Sequence, residues 1–145
     1  MERAASSTRT WTAGGGLREQ FGLSQGELVM VAETTILLGV CLYGAAQALL
    51  TQRSETLQQI HRNFSETFYL FGAGTIALVL LNGFGPWSLK GAMAYAAGRT
   101  LYLMLSMKPL RSLRKWGWAI SIAGIVGVLA ELARTIWTMA QGLGG

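Results

Sequence analysis

Four stretches of the chain are long and apolar enough to cross a lipid bilayer, yet each contains at least one ionisable side chain. They are residues 28–50, 64–81, 91–107 and 116–139. A spanning helix needs about 20 mostly apolar residues, because the hydrocarbon core is about 30 Å thick and a helix rises about 1.5 Å per residue. Ionisable groups are costly in lipid unless they face a partner or the interface. The sequence therefore predicts an all-α integral membrane protein whose four helices pack as a bundle.

The composition argues against a water-soluble enzyme. Hydrophobic residues make up 51% of the chain and charged residues 13%, whereas a soluble domain carries roughly 25% charged residues. The net charge of +5 comes from basic residues that flank apolar runs, which indicates membrane loops rather than a nucleic-acid partner. The single cysteine, Cys41, and the single histidine, His61, have no neighbours at metal-ligand spacing, so no metal site is expected.

The connections between the apolar stretches are short, which favours an up-down-up-down order of antiparallel helices. Basic residues cluster in the third connection and recur in the first, so these two loops are predicted to share the cytoplasmic side: Arg53, Lys108, Arg111, Arg114 and Lys115. Residues 1–24 are predicted to form a flexible tail, residues 25–141 the transmembrane domain and residues 142–145 a short C-terminal tail. The expected location is the cell (inner) membrane, with an organellar membrane as the alternative.

Polar side chains recur at helical spacing on the second and third predicted helices. Residues three, four and seven apart share one face of a helix. The two polar faces found in this way comprise Gln59, Asn63 and Glu66 on one helix, and Tyr95, Arg99, Tyr102 and Ser106 on the next. If these faces meet, they form a pocket near the basic loops.

Such a pocket suits a small zwitterionic ligand rich in carboxylates. Guanidinium groups bind carboxylates through paired hydrogen bonds, and they are offered by Arg62, Arg99 and Arg111. Asn63 supplies an amide, Glu66 accepts from an ammonium and Tyr102 donates a hydroxyl. Purely structural roles are the alternative: Arg62 and Glu66 form a surface ion pair, Arg99 neutralises Glu33 or Glu66, and Gln59 caps a helix.

Two segments resemble the MAPEG family, the membrane-associated proteins in eicosanoid and glutathione metabolism. Residues 62–73 read RNFSETFYLFGA and are similar to the family's RNFxETFPLFA motif. Residues 98–118 read GRTLYLMLSMKPLRSLRKWGW and are similar to its ARxLYLPLYLxGxPxLRSLxW stretch. The resemblance is of bacterial type and extends from Glu27 to about Arg134.

The resemblance implies a homotrimer of four-helix subunits that binds glutathione between neighbouring subunits, toward the cytoplasm. Enzymes of the family add the glutathione thiol to lipophilic electrophiles or reduce lipid hydroperoxides. By motif, Asn63 and Glu66 match residues that contact the glutathione peptide, and Tyr102 matches a tyrosine of the third helix. Arg111 matches the arginine beside the thiol, where a guanidinium would favour the thiolate. The implied function is that of a membrane-bound glutathione S-transferase or peroxidase.

The chain departs from the family pattern at four places. Gln59 stands where an arginine is typical, Ser106 replaces a second tyrosine, Tyr69 replaces a proline, and the connection before Arg111 is shorter. Because the family also contains non-enzymatic members, a non-catalytic lipid-binding scaffold is the alternative function. A small transporter that uses Glu33 or Glu66 as a proton carrier is a third.

Overall fold

A computed structural model describes Gly22 and residues 24–50, 55–106 and 113–143. Within these ranges the chain forms four α-helices: α1 (Gln25–Leu50), α2 (Glu55–Leu81), α3 (Pro86–Ser106) and α4 (Arg114–Leu143). The all-helical prediction is confirmed. Residues 1–21, 23, 51–54, 107–112 and 144–145 lie outside the described residues, and with them most of the predicted N-terminal tail, half of the predicted C-terminal tail, Arg53 and Arg111.

Contacts between α2 and α3 agree with the predicted up-down-up-down order. Asn63 of α2 bonds with Arg99 of α3, and Thr67 lies beside Tyr95, so these two helices run in opposite directions. The end where α1 and α3 finish and α2 and α4 begin is called the basic end, because the two basic loops join the helices there. The opposite end, which holds the turn at residues 82–85, is called the turn end.

Three of the helices are long and apolar enough to cross a membrane: Gln25–Leu50, Glu55–Leu81 and Arg114–Gly142. Helix α3 does not reach the same apolarity, although it was predicted as a span. With 21 residues its length is about 31 Å. It also lies along α4 from Gly91 beside Gly124 to Tyr102 beside Gly117, so it runs through the same layer as its neighbours.

The closest helix pair is α3 with α4, and glycines make this approach possible. A Cβ atom on Gly124 would lie 2.5 Å from the Tyr95 nitrogen, and one on Gly98 would lie 2.6 Å from the Ser121 nitrogen. No real side chain tolerates such distances to a backbone. Small residues at matched positions therefore let these two backbones touch, as is common between membrane helices.

The turn between α2 and α3 is set by local hydrogen bonds. Asn82 has a positive φ of 49°, and the Gly83 nitrogen donates to the Leu78 oxygen at 3.0 Å, which closes α2 with a Schellman motif. Pro86 then begins α3, where a missing N–H is harmless. Helix α3 therefore starts at Pro86. The apolar pattern alone predicts a start at residue 91, which is five residues later.

Large apolar side chains are divided between a core and an outer surface. The buried set includes Phe71, Leu78, Tyr95 and Val128, while other large apolar side chains of all four helices remain exposed. Four tryptophans are exposed near the helix ends: Trp87 and Trp137 at the turn end, and Trp116 and Trp118 at the basic end. Tryptophan is enriched at both membrane surfaces, so this distribution suits a bundle that spans a bilayer.

Replacing Gly124 by Ala should destabilise the bundle, because the new methyl group would meet the α3 backbone. Overpacking of this kind costs about 1–3 kcal/mol. Thermal unfolding in detergent should show a lower Tm for Gly124→Ala. Gly39→Ala is the matched control, since a Cβ atom there meets nothing within 4 Å. Equal Tm values for the two variants would contradict the close α3–α4 contact.

Candidate functional site

The centre of the candidate site is the Arg99 guanidinium, which is only 2% exposed. Its Nη1 donates to the Asn63 side-chain oxygen at 2.9 Å, and its Nη2 donates to the Asn63 backbone oxygen at 2.6 Å and to the Thr67 hydroxyl. Among the described residues no carboxylate forms an ion pair with it. Arg99 is therefore a buried cation held by neutral acceptors, and it pairs with neither Glu33 nor Glu66.

Aromatic rings surround the same guanidinium. The Arg99 Cζ atom lies 5.2 Å from the ring centre of Phe64, 5.7 Å from that of Tyr95 and 5.8 Å from that of Tyr102. A cation within about 6 Å of an aromatic face is attracted by the ring quadrupole. Tyr102 also lies 5.5 Å from the Arg114 Cζ atom, so two guanidinium groups approach its ring.

Helix α1 joins the cluster through Tyr43 and Gln47. The Tyr43 hydroxyl donates to the Arg99 backbone oxygen at 3.1 Å and accepts from the Gln47 side chain at 2.8 Å. Beside these contacts a groove of about 250 Å³ runs between α1 and α3, with Arg99 among its lining residues. The cluster connects α1, α2 and α3 close to the basic end. We call it the Arg99 cluster, and its members are Tyr43, Gln47, Asn63, Phe64, Thr67, Tyr95, Arg99 and Tyr102.

The other predicted binding residues of α2 face outward. Arg62 and Glu66 form an ion pair at 3.7 Å, with side chains 84% and 63% exposed. Gln59, one turn before Asn63, is also exposed. The structure therefore brings Asn63, Arg99 and Tyr102 together and leaves Gln59, Arg62 and Glu66 on an open surface of α2. The surface ion pair expected as the structural alternative is present.

Two positions bear on the expected chemistry. Arg111, the predicted thiolate stabiliser, lies outside the described residues. Ser106 stands where the family has a second tyrosine, and its buried hydroxyl donates to the Tyr102 backbone oxygen at 2.6 Å. This hydroxyl is engaged within its own helix.

Sequence reasoning missed three polar residues of the cluster: Tyr43, Gln47 and Thr67. Thr67 follows Asn63 by four residues, and Gln47 follows Tyr43 by four, so each pair shares a helix face. The spacing could have revealed both pairs. Their contact with Arg99, however, depends on the heights at which three helices meet, which no local pattern encodes.

Residues 28–134 match the sequence model of the MAPEG family, which is well over half of the chain. The chain belongs to the MAPEG family. Comparison with curated proteins and with solved structures gives no significant match. MAPEG proteins include glutathione transferases and other enzymes. Together with the apolar helices, this membership establishes a multi-pass membrane protein.

In this MAPEG protein, Thr67→Val should destabilise the Arg99 cluster. Valine has nearly the same shape, but it removes an acceptor from a buried cation, which costs about 1–3 kcal/mol. Thr100→Val is the control, because the exposed Thr100 hydroxyl bonds only within its own helix, to Ala96. Thermal unfolding in detergent should separate the two variants. Similar Tm values would show that the Thr67 hydroxyl does not stabilise Arg99.

Proposed function

We propose that this protein is a membrane-bound glutathione S-transferase that joins glutathione to lipophilic electrophiles dissolved in the bilayer. The proposed assembly is a homotrimer, with glutathione between neighbouring protomers at the basic end. Family membership is consistent with this class of reaction. The structural observation that supports the proposal is the Arg99 cluster. It holds Asn63, which matches a glutathione-contacting residue of the family, in one fixed orientation.

The orientation of Asn63 follows from the chemistry of its partner. A guanidinium group only donates hydrogen bonds, so the atom that faces Arg99 must be the amide oxygen. The amide nitrogen then remains to donate to a carbonyl or carboxylate of the tripeptide. Arg99 therefore supports the proposal as a positioning residue, with three of its five N–H groups already used on Asn63 and Thr67.

The charged ends of glutathione would meet the exposed side chains of α2. Glu66 can accept from the ligand ammonium, and Arg62 and Gln59 can donate to its carboxylates. Tyr102 would complete the pocket from α3. The Arg62–Glu66 ion pair is solvent-exposed, and such pairs contribute little to stability, so both groups can exchange partners for a ligand at small cost.

In the proposed reaction Arg111 stabilises the thiolate. A glutathione thiol is mostly protonated at neutral pH, and a neighbouring guanidinium lowers its pKa and enriches the nucleophile. The thiol proton leaves to solvent and the thiolate sulfur forms a bond to the electrophilic carbon. In a substitution the leaving group departs with its bonding electrons. In an addition the π electrons of the electrophile shift to the neighbouring atom, which takes a proton from solvent. Arg114 is the nearest described guanidinium to Tyr102 and is the next candidate for this role.

A non-catalytic, lipid-binding scaffold is the second candidate. One observation favours it: the Ser106 hydroxyl is buried and bonded to its own helix, at a position where the family's enzymes have a tyrosine. Both the family's arginine and its second tyrosine are replaced in this chain, by Gln59 and Ser106. A MAPEG bundle without these two side chains would lack a complete thiol site.

Glutathione binding distinguishes the two candidates and can be measured by isothermal titration of the detergent-solubilised protein. The transferase proposal expects binding, and it expects Glu66→Gln to weaken binding by about tenfold, the value of one charge-assisted hydrogen bond. Glu55→Gln removes an exposed acid from the same helix, 11 residues earlier, and should leave binding unchanged. No binding by the unmodified protein would favour the scaffold.

Replacing Arg111 by Ala should slow conjugation to a model electrophile by about a hundredfold while glutathione affinity changes little. The reason is that stabilisation of developing charge is worth a few kcal/mol in the transition state. Thiolate absorbance in the ultraviolet should fall in parallel. Lys115→Ala removes a nearby positive charge and serves as the control. An unchanged rate and thiolate signal in Arg111→Ala would exclude Arg111 as the activating group.

A further inference from the structure

A second pocket, of about 410 Å³, lies at the turn end, far from the Arg99 cluster. It is formed between the turn and α4, and its lining includes Asn82, Gly85, Glu131, Arg134, Thr135 and Thr138. None of these residues has a part in the proposed glutathione chemistry. The pocket combines an acid and a base that are three residues apart on one helix.

Glu131 is 95% buried, and only one of its two oxygens is satisfied. Its Oε1 accepts from the Arg134 Nη1 at 3.0 Å, while its buried Oε2 has no hydrogen-bond partner among the described residues. The carboxylate rests against the turn, since a Cβ atom on Gly85 would lie 2.6 Å from it. A buried carboxylate oxygen without a donor is costly, which points to a donor supplied from outside the chain.

A second carboxylate reaches the same turn from α1. Glu33 is fully buried, its Oε1 contacts the Ser88 hydroxyl, and that hydroxyl accepts from the Gly85 nitrogen at 3.1 Å. Glu33 Oε2 also lacks a partner. Arg134 is the only basic side chain paired with either acid in the described part of the chain. The two buried carboxyl groups therefore have a single basic partner between them.

The unsatisfied Glu131 oxygen needs a hydrogen-bond donor. A primary ammonium supplies that donor together with the opposite charge, whereas a quaternary ammonium has no hydrogen to donate. No group of three metal-ligating side chains occurs in the described residues, which gives a metal ion little to bind. Arg134 has a 66% exposed side chain and uses one N–H group on Glu131, so its remaining N–H groups can bind an anion.

We propose that this pocket binds a primary ammonium linked to a phosphate, the chemistry of an ethanolamine phospholipid headgroup. The ammonium contacts the Glu131 carboxylate and the phosphate binds the Arg134 guanidinium. The exposed Arg134 side chain is bonded to the Glu131 carboxylate, so in this proposal it moves toward the phosphate as the ammonium enters. The turn joins two helices at the end of the bundle, where Trp87 and Trp137 are exposed, and this is the level of lipid headgroups.

The test compares lipids that differ only in the headgroup. Native mass spectrometry of the full-length protein, after incubation with equal amounts of phosphatidylethanolamine, phosphatidylcholine and phosphatidylglycerol, measures the retained lipid. Phosphatidylethanolamine should be retained about tenfold better than either competitor, and Glu131→Gln should remove this preference. Glu27→Gln is the control, because Glu27 is an exposed acid at the same end whose bond with Ser24 caps α1, a role glutamine can also fill.

Equal retention of the three lipids, or an unchanged preference in folded Glu131→Gln, would overturn the proposal. If Glu131→Gln does not fold, Arg134→Gln replaces it: because Arg134 is the phosphate partner, a loss of most of the retained phosphatidylethanolamine supports the site, and unchanged retention overturns it. Competition with soluble phosphoethanolamine shows whether the site takes only the lipid or also the free headgroup. Displacement of the lipid by phosphoethanolamine supports a site that also accepts the free zwitterion, and failure to displace it supports a site specific for the lipid.

Discussion

The basic end of this bundle depends on one interaction, the enclosure of the Arg99 guanidinium by three helices. Removing a cation from water costs several kcal/mol, even after the protein relaxes around it. Here the cost is offset by three hydrogen bonds to Asn63 and Thr67 and by three aromatic rings at 5.2 to 5.8 Å. Because every acceptor is neutral, the cluster retains its positive charge, and it restricts how α1, α2 and α3 can move relative to one another.

The position of Arg99 follows from the unequal sides of α3. One side is made of glycines that press against the α4 backbone, and the other carries Ser88, Tyr95 and Arg99, which bond to α1 and α2. Neither side needs long apolar side chains, because protein rather than lipid covers both. This explains why α3 falls short of the apolarity of the other three helices although it runs through the same layer.

The sequence predicted the helices well, since a run of apolar residues bounded by polar turns is a local signal. The polar face of α2 was predicted less well. Asn63 lies on the line of contact with α3, together with Phe64 and Thr67, whereas Arg62 and Glu66 lie to one side of that line and remain exposed. At 3.6 residues per turn, neighbours on a polar stripe differ by tens of degrees, which is enough to place one inside and another outside.

The partner of Arg99 could not be predicted for a different reason. A buried cation suggests a carboxylate, and Glu33 and Glu66 were the natural candidates. The bundle instead places Glu33 at the opposite end, bonded to Ser88, and turns Glu66 away from α3. Which residues meet across helices depends on their height along the bundle. That height is set by loop lengths and by the close contacts at glycines, and it does not follow from the charges of the residues that meet.

The enclosure of Arg99 also limits what it can do for a ligand. With three N–H groups engaged and only 2% of its surface exposed, it cannot present a two-pronged donor to a carboxylate without leaving Asn63. The carboxylates of a glutathione-like ligand must then be met by groups outside the cluster: Arg62 on the open surface of α2, Arg114 beside Tyr102, and the basic residues of the third connection. The proposed site therefore contains two groups of residues with different roles. Arg99 and Thr67 hold Asn63 in place, and cations outside the cluster bind the charges of the ligand.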